Sequence, residues 1–167
     1  MSDIQTLRNV LAQCRTLAVV GLSPQWHRPS FFAAKYMQSH GYRIVPVNPI
    51  VAREGGEILG ERCFASVTEA AAALAVQGLR IDMVDCFRKS EDIPPIVDEA
   101  IAIGAHCLWL QLGIRNEAVA AQARAAGLTV IEDRCVKIEH ARLFGGLNWA
   151  GVNTRVISAK RPHVLPY

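Results

Sequence analysis

Apolar positions along this chain fall into short unbroken runs, and between the runs they recur every three or four residues. The first run, Leu17-Ala18-Val19-Val20, begins after Thr16 and stops at Gly21, with Leu22-Ser23 and then Arg28-Pro29-Ser30 beyond it. A strand with one face in water alternates apolar and polar positions, whereas an unbroken run predicts a parallel strand covered by helices on both faces. Phe32, Ala33, Tyr36 and Met37 share one face of a helix expected from Ser30 to His40, closed by a glycine cap at Gly41. Tyr42–Val47 is the second strand, leaving through Asn48-Pro49. Pro46 has no N–H for a ladder, so an irregular or partly unpaired end is expected there.

The alternation continues to the end of the ordered pattern. A short helix near the start carries Leu7, Val10 and Leu11 on one stripe, with Ser2 and Gln5 at capping-box spacing. Gly55-Gly56 marks a loop, Arg62–Phe64 a short third strand, and Ser66-Val67-Thr68-Glu69 a capping box opening an Ala-rich helix to about Val76. Ile81–Phe87 is the fourth strand, followed by a helix capped by Ser90 with Ile93, Ile96, Val97, Ala100 and Ile101 on its apolar face. Ala105–Leu110 and Leu128–Ile131 are the last strands, and between them Asn116 caps a helix that buries Val119, Ala120 and Ala123 and ends at Gly127. Strand and helix in short alternation predict an α/β fold, a doubly wound, mostly parallel Rossmann-like sheet with helices on both faces. One domain is expected over residues 1–143, and the glycines at 145, 146 and 151 suggest an irregular tail over residues 144–167.

Composition narrows the class. With 167 residues the chain suffices for one full core, and 51% hydrophobic residues at a mean hydropathy of +0.18 suit a sheet buried on both faces. No apolar run approaches the roughly 20 residues of a membrane span, and Met1–Gln5 has neither a basic start nor an apolar signal core. A net charge of +3 with both signs interleaved does not imply nucleic acid. Five cysteines without a Cys-x-x-Cys pair point to reduced thiols in the cytoplasm rather than to a disulfide frame or zinc site.

In such a sheet ligands bind outside the carboxyl ends of the strands, where the strand order reverses. Those ends carry Gly21-Leu22-Ser23, Asn48-Pro49, Phe87-Arg88 and Gln111-Leu112-Gly113, with Arg28 and Arg53 expected near the mouth. A dinucleotide fingerprint is missing: the loop after the first strand reads Gly21-Leu22-Ser23-Pro24-Gln25-Trp26, and Asn48 stands where an acidic residue would hold the ribose. No Lys-Ser or Lys-Thr follows a glycine-rich loop, so a P-loop is missing too. Arg side chains at the mouth suit phosphates. Gly21 is expected to be strict toward a ligand, with Gly21→Val weakening binding more than the fold.

Several blocks in order, Val20–Ser23, Arg28-Pro29-Ser30, Pro46–Pro49, Ile58-Leu59-Gly60, Asp82–Arg88, Trp109–Ile114 and Glu132–His140, together resemble the stand-alone CoA-binding domain proteins. These are small relatives of the N-terminal domain of the succinyl-CoA synthetase alpha subunit, and the resemblance extends to about Leu143. It implies coenzyme A or an acyl-CoA as ligand. Gly21, Leu22 and Ser23 would form the loop against the phosphates, Asn48 and Pro49 would neighbour the adenosine end, and Phe87 with Arg88 would form the wall at the fourth strand. Arg28, Ser30, Arg53, Gln111, Leu112 and Gly113 are counted with them as candidate ligand-binding residues. The synthetases complete their active site with further domains, so no histidine here inherits a catalytic role.

Candidate catalysts are few. Cys135 lies between Arg134 and Val136-Lys137 and reads first as a small buried residue, second as a nucleophile. His106 reads as a buried structural residue, and Asp82 and Asp85 point to opposite faces of their strand, which argues against a carboxylate dyad. Three alternatives follow: a non-catalytic carrier or sensor that binds CoA, an enzyme on CoA thioesters using Cys135, and an NAD(P)-binding oxidoreductase. A protein partner or a homo-oligomer is compatible with each, and a membrane or nucleic-acid partner with none.

Overall fold

The computed structural model describes residues 3–144. Five strands form one parallel sheet: β1 (Thr16–Val20), β2 (Arg43–Val47), β5 (Met83–Cys86), β6 (Cys107–Leu110) and β7 (Thr129–Ile131), in the order β2-β1-β5-β6-β7. The chain leaves β1 for β2 on one side and later returns for β5 on the other, so the order reverses between β1 and β5. All five residues of β1 are buried, as its unbroken apolar run requires.

Side-chain alternation divides the core into two layers. Leu17, Val19, Met83, Cys107, Trp109 and Ile131 face one side, under α1 (Ile4–Gln13), α2 (Pro29–Ser39) and α7 (Val136–Leu143). Ala18, Val20, Val84, Cys86, Leu108 and Leu110 face the other, under α4 (Val67–Ala75), α5 (Ile93–Ala102) and α6 (Glu117–Ala125). Between β2 and α4 lie the short helix α3 (Pro49–Arg53) and a two-stranded hairpin, β3 (Glu57–Ile58) with β4 (Glu61–Arg62).

Pro46 stays inside β2, in register with Val19. Its carbonyl accepts from Phe64 N on the outer edge, and the bonds to β1 come from its neighbours, so no ladder donor is lost. The short third strand expected at Arg62–Phe64 is instead β4 followed by a single parallel bridge from Phe64 to Val47.

Several local expectations are corrected. Asp3, not Ser2, caps α1, its carboxylate accepting from Thr6 N at 2.7 Å, and Ser2 lies outside the described residues. Ser90 does not cap α5: it opens a 3-10 turn (Ser90–Asp92), and its hydroxyl donates to Arg115 O. His106 is exposed just before β6 rather than buried. Two helices were not expected, α3 and α7. The tail beyond residue 144 lies outside the described residues.

Candidate functional site

Gly21 turns the chain off β1 at the point where the strand order reverses. Its φ is +81°, its N–H donates to Val47 O at 2.9 Å, and a Cβ built there would stand 2.6 Å from Phe87 O. The turn is therefore wedged between the ends of β2 and β5, and a side chain is excluded by the protein's own backbone before any ligand arrives. Gly21→Val is therefore expected to strain the fold itself, whatever it does to a ligand.

The loop after Gly21 is held by short polar contacts. Leu22 is fully buried, and its carbonyl accepts from Asn48 Nδ2 at 2.9 Å, which ties the first loop to the end of β2. Ser30, itself buried at the start of α2, accepts from Ser23 N at 3.1 Å, and Ser23 Oγ accepts from Gln25 N. Arg28 is the residue before Pro29, the first residue of α2, and its Nε donates to Gln25 Oε1. Pro at the first helical position spares a donor that the helix would leave unpaired anyway.

Two hollows open on either side of this turn. The larger, about 740 Å³, is lined by Gly21, Ser23, Gln25, Arg28, Pro29, Ser30, Phe32, Phe87, Arg88, Lys89, Gln111, Leu112, Ile114 and Cys135. The smaller, about 610 Å³, lies between β2, α4 and α5, with Asn48, Pro49, Ile50, Ser66, Glu91, Asp92, Pro95, Ile96 and Glu99 in its wall. Gly21, Ser23 and Arg88 border both. Both volumes are in the range of small-molecule sites. A third hollow of about 760 Å³ runs along α6 and β7 and touches none of the loops that follow β1, β2 or β5. The first two lie at the point between β1 and β5 where the strand order reverses, which is where such a sheet binds its ligand.

The two hollows differ in charge. Arg28, Arg88 and Lys89 make the larger one cationic, while Glu91, Asp92 and Glu99 edge the smaller. Arg88 stands on the boundary, its guanidinium 3.0 Å from Asp92 and half exposed. Glu99 is already engaged, accepting from Thr68 N and Thr68 Oγ1.

Of the residues singled out from sequence, the structure brings ten to these hollows: Gly21, Ser23, Arg28, Ser30, Asn48, Pro49, Phe87, Arg88, Gln111 and Leu112. Three lie elsewhere. Leu22 points into the core, Arg53 is exposed at the end of α3 outside both walls, and Gly113 is held by Asp133, which accepts its N–H at 2.7 Å. That hydrogen bond, with Arg115 beside it, holds the Asp133 carboxyl below its ordinary range. The start of α5 and Cys135 were not expected in the walls. The strand-end rule covers α5 directly, since it follows β5.

Cys135 is half-buried at the start of α7, whereas Cys14, Cys63, Cys86 and Cys107 are buried, their thiols pushed up by burial. The cations flanking Cys135 have other partners, Arg134 with Glu139 at 3.0 Å and Lys137 over the Phe32 ring. His140 is turned away into an aromatic cluster, its Nδ1 3.1 Å from Tyr36 Oη, and burial lowers its pKa to about 4. Asp82 accepts from Arg15 N and Thr16 N and makes no pair with Asp85. Among the described residues no group of three or more His, Cys, Asp or Glu side chains is placed to hold a metal ion, and no helix is long and apolar enough to cross a membrane.

The model of the CoA binding domain family matches residues 15–141, which takes in β1 through nearly all of α7 and every strand end described above. The chain belongs to the CoA-binding domain family. The uncharacterized protein YneT of Bacillus subtilis (strain 168) is 36% identical over 135 residues, covering 81% of this chain and 92% of that protein. Two solved structures are similar throughout. The cell-free ID.343 protein from Thermus thermophilus is 33% identical with a TM-score of 0.73, over 86% of this chain and 100% of that one. A hypothetical protein from Pyrococcus horikoshii OT3 is also 33% identical, with a TM-score of 0.76 over 86% and 94%. Family and fold thus agree with the Rossmann-like architecture, and the hollows fall at the ends of its strands.

Proposed function

We propose that the protein binds coenzyme A or an acyl-CoA across the Gly21 turn, as a carrier, sensor or partner module in the cytoplasm rather than as an enzyme. The observation that carries this reading is the pair of hollows meeting at Gly21 and Arg88. A ligand with a nucleotide at one end and a flexible arm at the other needs two compartments and a cationic crossing between them. The smaller hollow, with Asn48 and Pro49, takes the adenosine end. The larger takes the pantetheine arm, whose thiol or acyl end reaches toward Phe32, Leu112 and Cys135, while Arg28, Arg88 and Lys89 face the phosphates.

Calorimetry and thermal unfolding with CoA test this directly. Binding to the folded state alone stabilises by mass action, about 2.7 kcal/mol at a ligand concentration of 100 Kd. Neither heat nor a shift in Tm at millimolar CoA, with the protein folded, overturns the reading.

One observation favours a second reading, an enzyme on CoA thioesters: Cys135 lines the larger hollow and is half-buried rather than sealed in the core. Its weakness is the missing base, since His140 Nδ1 is engaged by Tyr36. Incubation with acyl-CoA, followed by intact mass, distinguishes the two: an acylated Cys135 or released CoA supports the enzyme.

A further inference from the structure

We propose that Asp85 is a positioning residue of the larger hollow, and that filling the hollow with an anionic CoA-type ligand draws a proton onto its carboxyl group. The inference rests on the CoA reading above and deepens it to how the site responds to pH.

Asp85 lies within β5, in register with Val19 of β1 on one side and Trp109 of β6 on the other, and is 1% exposed. A carboxylate sealed among apolar neighbours is costly unless a cation or several donors face it. Among the described residues no cation lies at ion-pair distance, and its side-chain partner is the amide of Gln111, whose Nε2 donates at 2.5 Å. Gln111 is itself buried, lines the larger hollow, and accepts from Val136 N at 3.3 Å with its Oε1. One chain of contacts therefore runs from a carboxyl inside the sheet, through an amide in the cavity wall, to the start of α7 beside Cys135. The Val136 N–H holds the acceptor side of the Gln111 amide and the Asp85 carboxyl holds its donor side, so the two together fix which way the wall residue is turned.

The other titratable groups around Asp85 give its charge no support. Cys86 is next to it on β5, Cys107 is on β6, Cys14 ends α1 beyond Cys107, and Cys135 starts α7. On α7, Glu139 is committed to Arg134 and Arg142. Arg28, just before α2 and bonded to Gln25, and Lys89, after β5, stand in the cavity wall, with Arg88 on Asp92. Burial pushes the Asp85 carboxyl up to about 7, Gln111 opposing it only in part. Both protonation states are then populated at neutral pH. A polyanionic ligand in the adjoining hollow disfavours the charged state, so its binding raises the Asp85 pKa further. A proton is taken up on binding, and affinity falls as pH rises above about 7, until the raised value in the complex is passed.

The test compares CoA binding by the wild-type protein and Asp85→Asn from pH 6 to 8.5. The variant keeps an acceptor for Gln111 and cannot ionise, and the ligand's own titration is common to both. Wild-type affinity is expected to fall about tenfold relative to the variant across that range, at most tenfold per pH unit for one linked proton. Calorimetry in two buffers of different ionisation heat should show proton uptake in the wild type only. Should Asp85→Asn fail to fold, the 13C carboxyl resonance of Asp85 in the wild type decides, its titration midpoint moving up on saturation with CoA. A constant ratio of affinities with an unmoved midpoint overturns the inference and leaves the CoA reading intact. Absence of CoA binding by the folded wild type at every pH overturns both.

Discussion

Gly21 carries two constraints at once, a left-handed backbone and a neighbour that leaves no room for a Cβ. The first costs an L-residue roughly 1–2 kcal/mol, and the second forces Phe87 O away at the end of β5. Gly21→Ala is therefore expected to lower stability by at least about 2 kcal/mol, read as a fall in the urea midpoint at unchanged slope. Arg88 is the opposite case. Its ion pair with Asp92 is solvent-exposed, a class worth about 0.2–1 kcal/mol, so Arg88→Ala should unfold almost as the parent does. The same change should cost CoA about 1.5–3 kcal/mol of binding, a ten- to hundredfold loss. A loss that shrinks with dephospho-CoA assigns Arg88 to the ribose phosphate, and one that persists assigns it to the pyrophosphate. Unchanged binding of both ligands places Arg88 outside the site. Asp85 has a signature of its own in the unliganded protein. Its carboxyl titrates near 3.9 when unfolded and at about 7 when folded, so between those values the folded state holds the proton more tightly. Stability contributed by this group is present at low pH and lost as pH rises toward 7, by up to about 1.4 kcal/mol per unit. Asp85→Asn should gain on the wild type more at pH 8 than at pH 5 in urea unfolding, and an equal difference at both would refute a raised pKa.

At the scale of elements, the segments that the sequence revealed are those whose buried face is mostly apolar. β1 and β6 carry unbroken apolar runs, β5 is apolar but for Asp85, and α6 shows its stripe of Val119, Ala120 and Ala123 behind the Asn116 cap, which accepts from Val119 N. α7 escaped because its buried side includes Glu139 and His140 next to Val136 and Leu143, so no apolar stripe marks it. α3 escaped for a different reason. Asn48-Pro49 looks like a strand exit, yet Asn48 is an N-cap accepting from Ile50 N and Val51 N, with Pro49 at the first helical position. The same Asn48 amide donates to Leu22 O and so joins the loops after β1 and β2. Asn48→Ala removes both functions. It should cost about 1–3 kcal/mol in denaturant unfolding and speed amide exchange in the loop after Gly21, whereas a simple cap loss would leave that loop's exchange unchanged.

For the molecule as a whole, the alternation of runs and stripes was enough to give a doubly wound sheet and therefore the end of the sheet that faces a ligand. The sequence contained Asp85 but not its partner, since a polar residue near the end of a strand carries no sign of the Gln111 amide that meets it from just beyond β6. What the assembled sheet adds is the pairing of a carboxylate-edged hollow with a cationic one across a single glycine turn. If the proposed ligand spans both, its halves should bind independently. Adenosine 3′,5′-bisphosphate and 4′-phosphopantetheine are expected to bind weakly and at the same time, neither displacing the other, while CoA displaces both. Joining them turns the second contact into an intramolecular one, so the affinity of CoA should exceed that of either half by about 10²–10⁴. Competition by ligand-observed NMR reads this out. Mutual displacement of the two halves would mean that one hollow serves both, and that the division of the site at Gly21 and Arg88 does not organise binding.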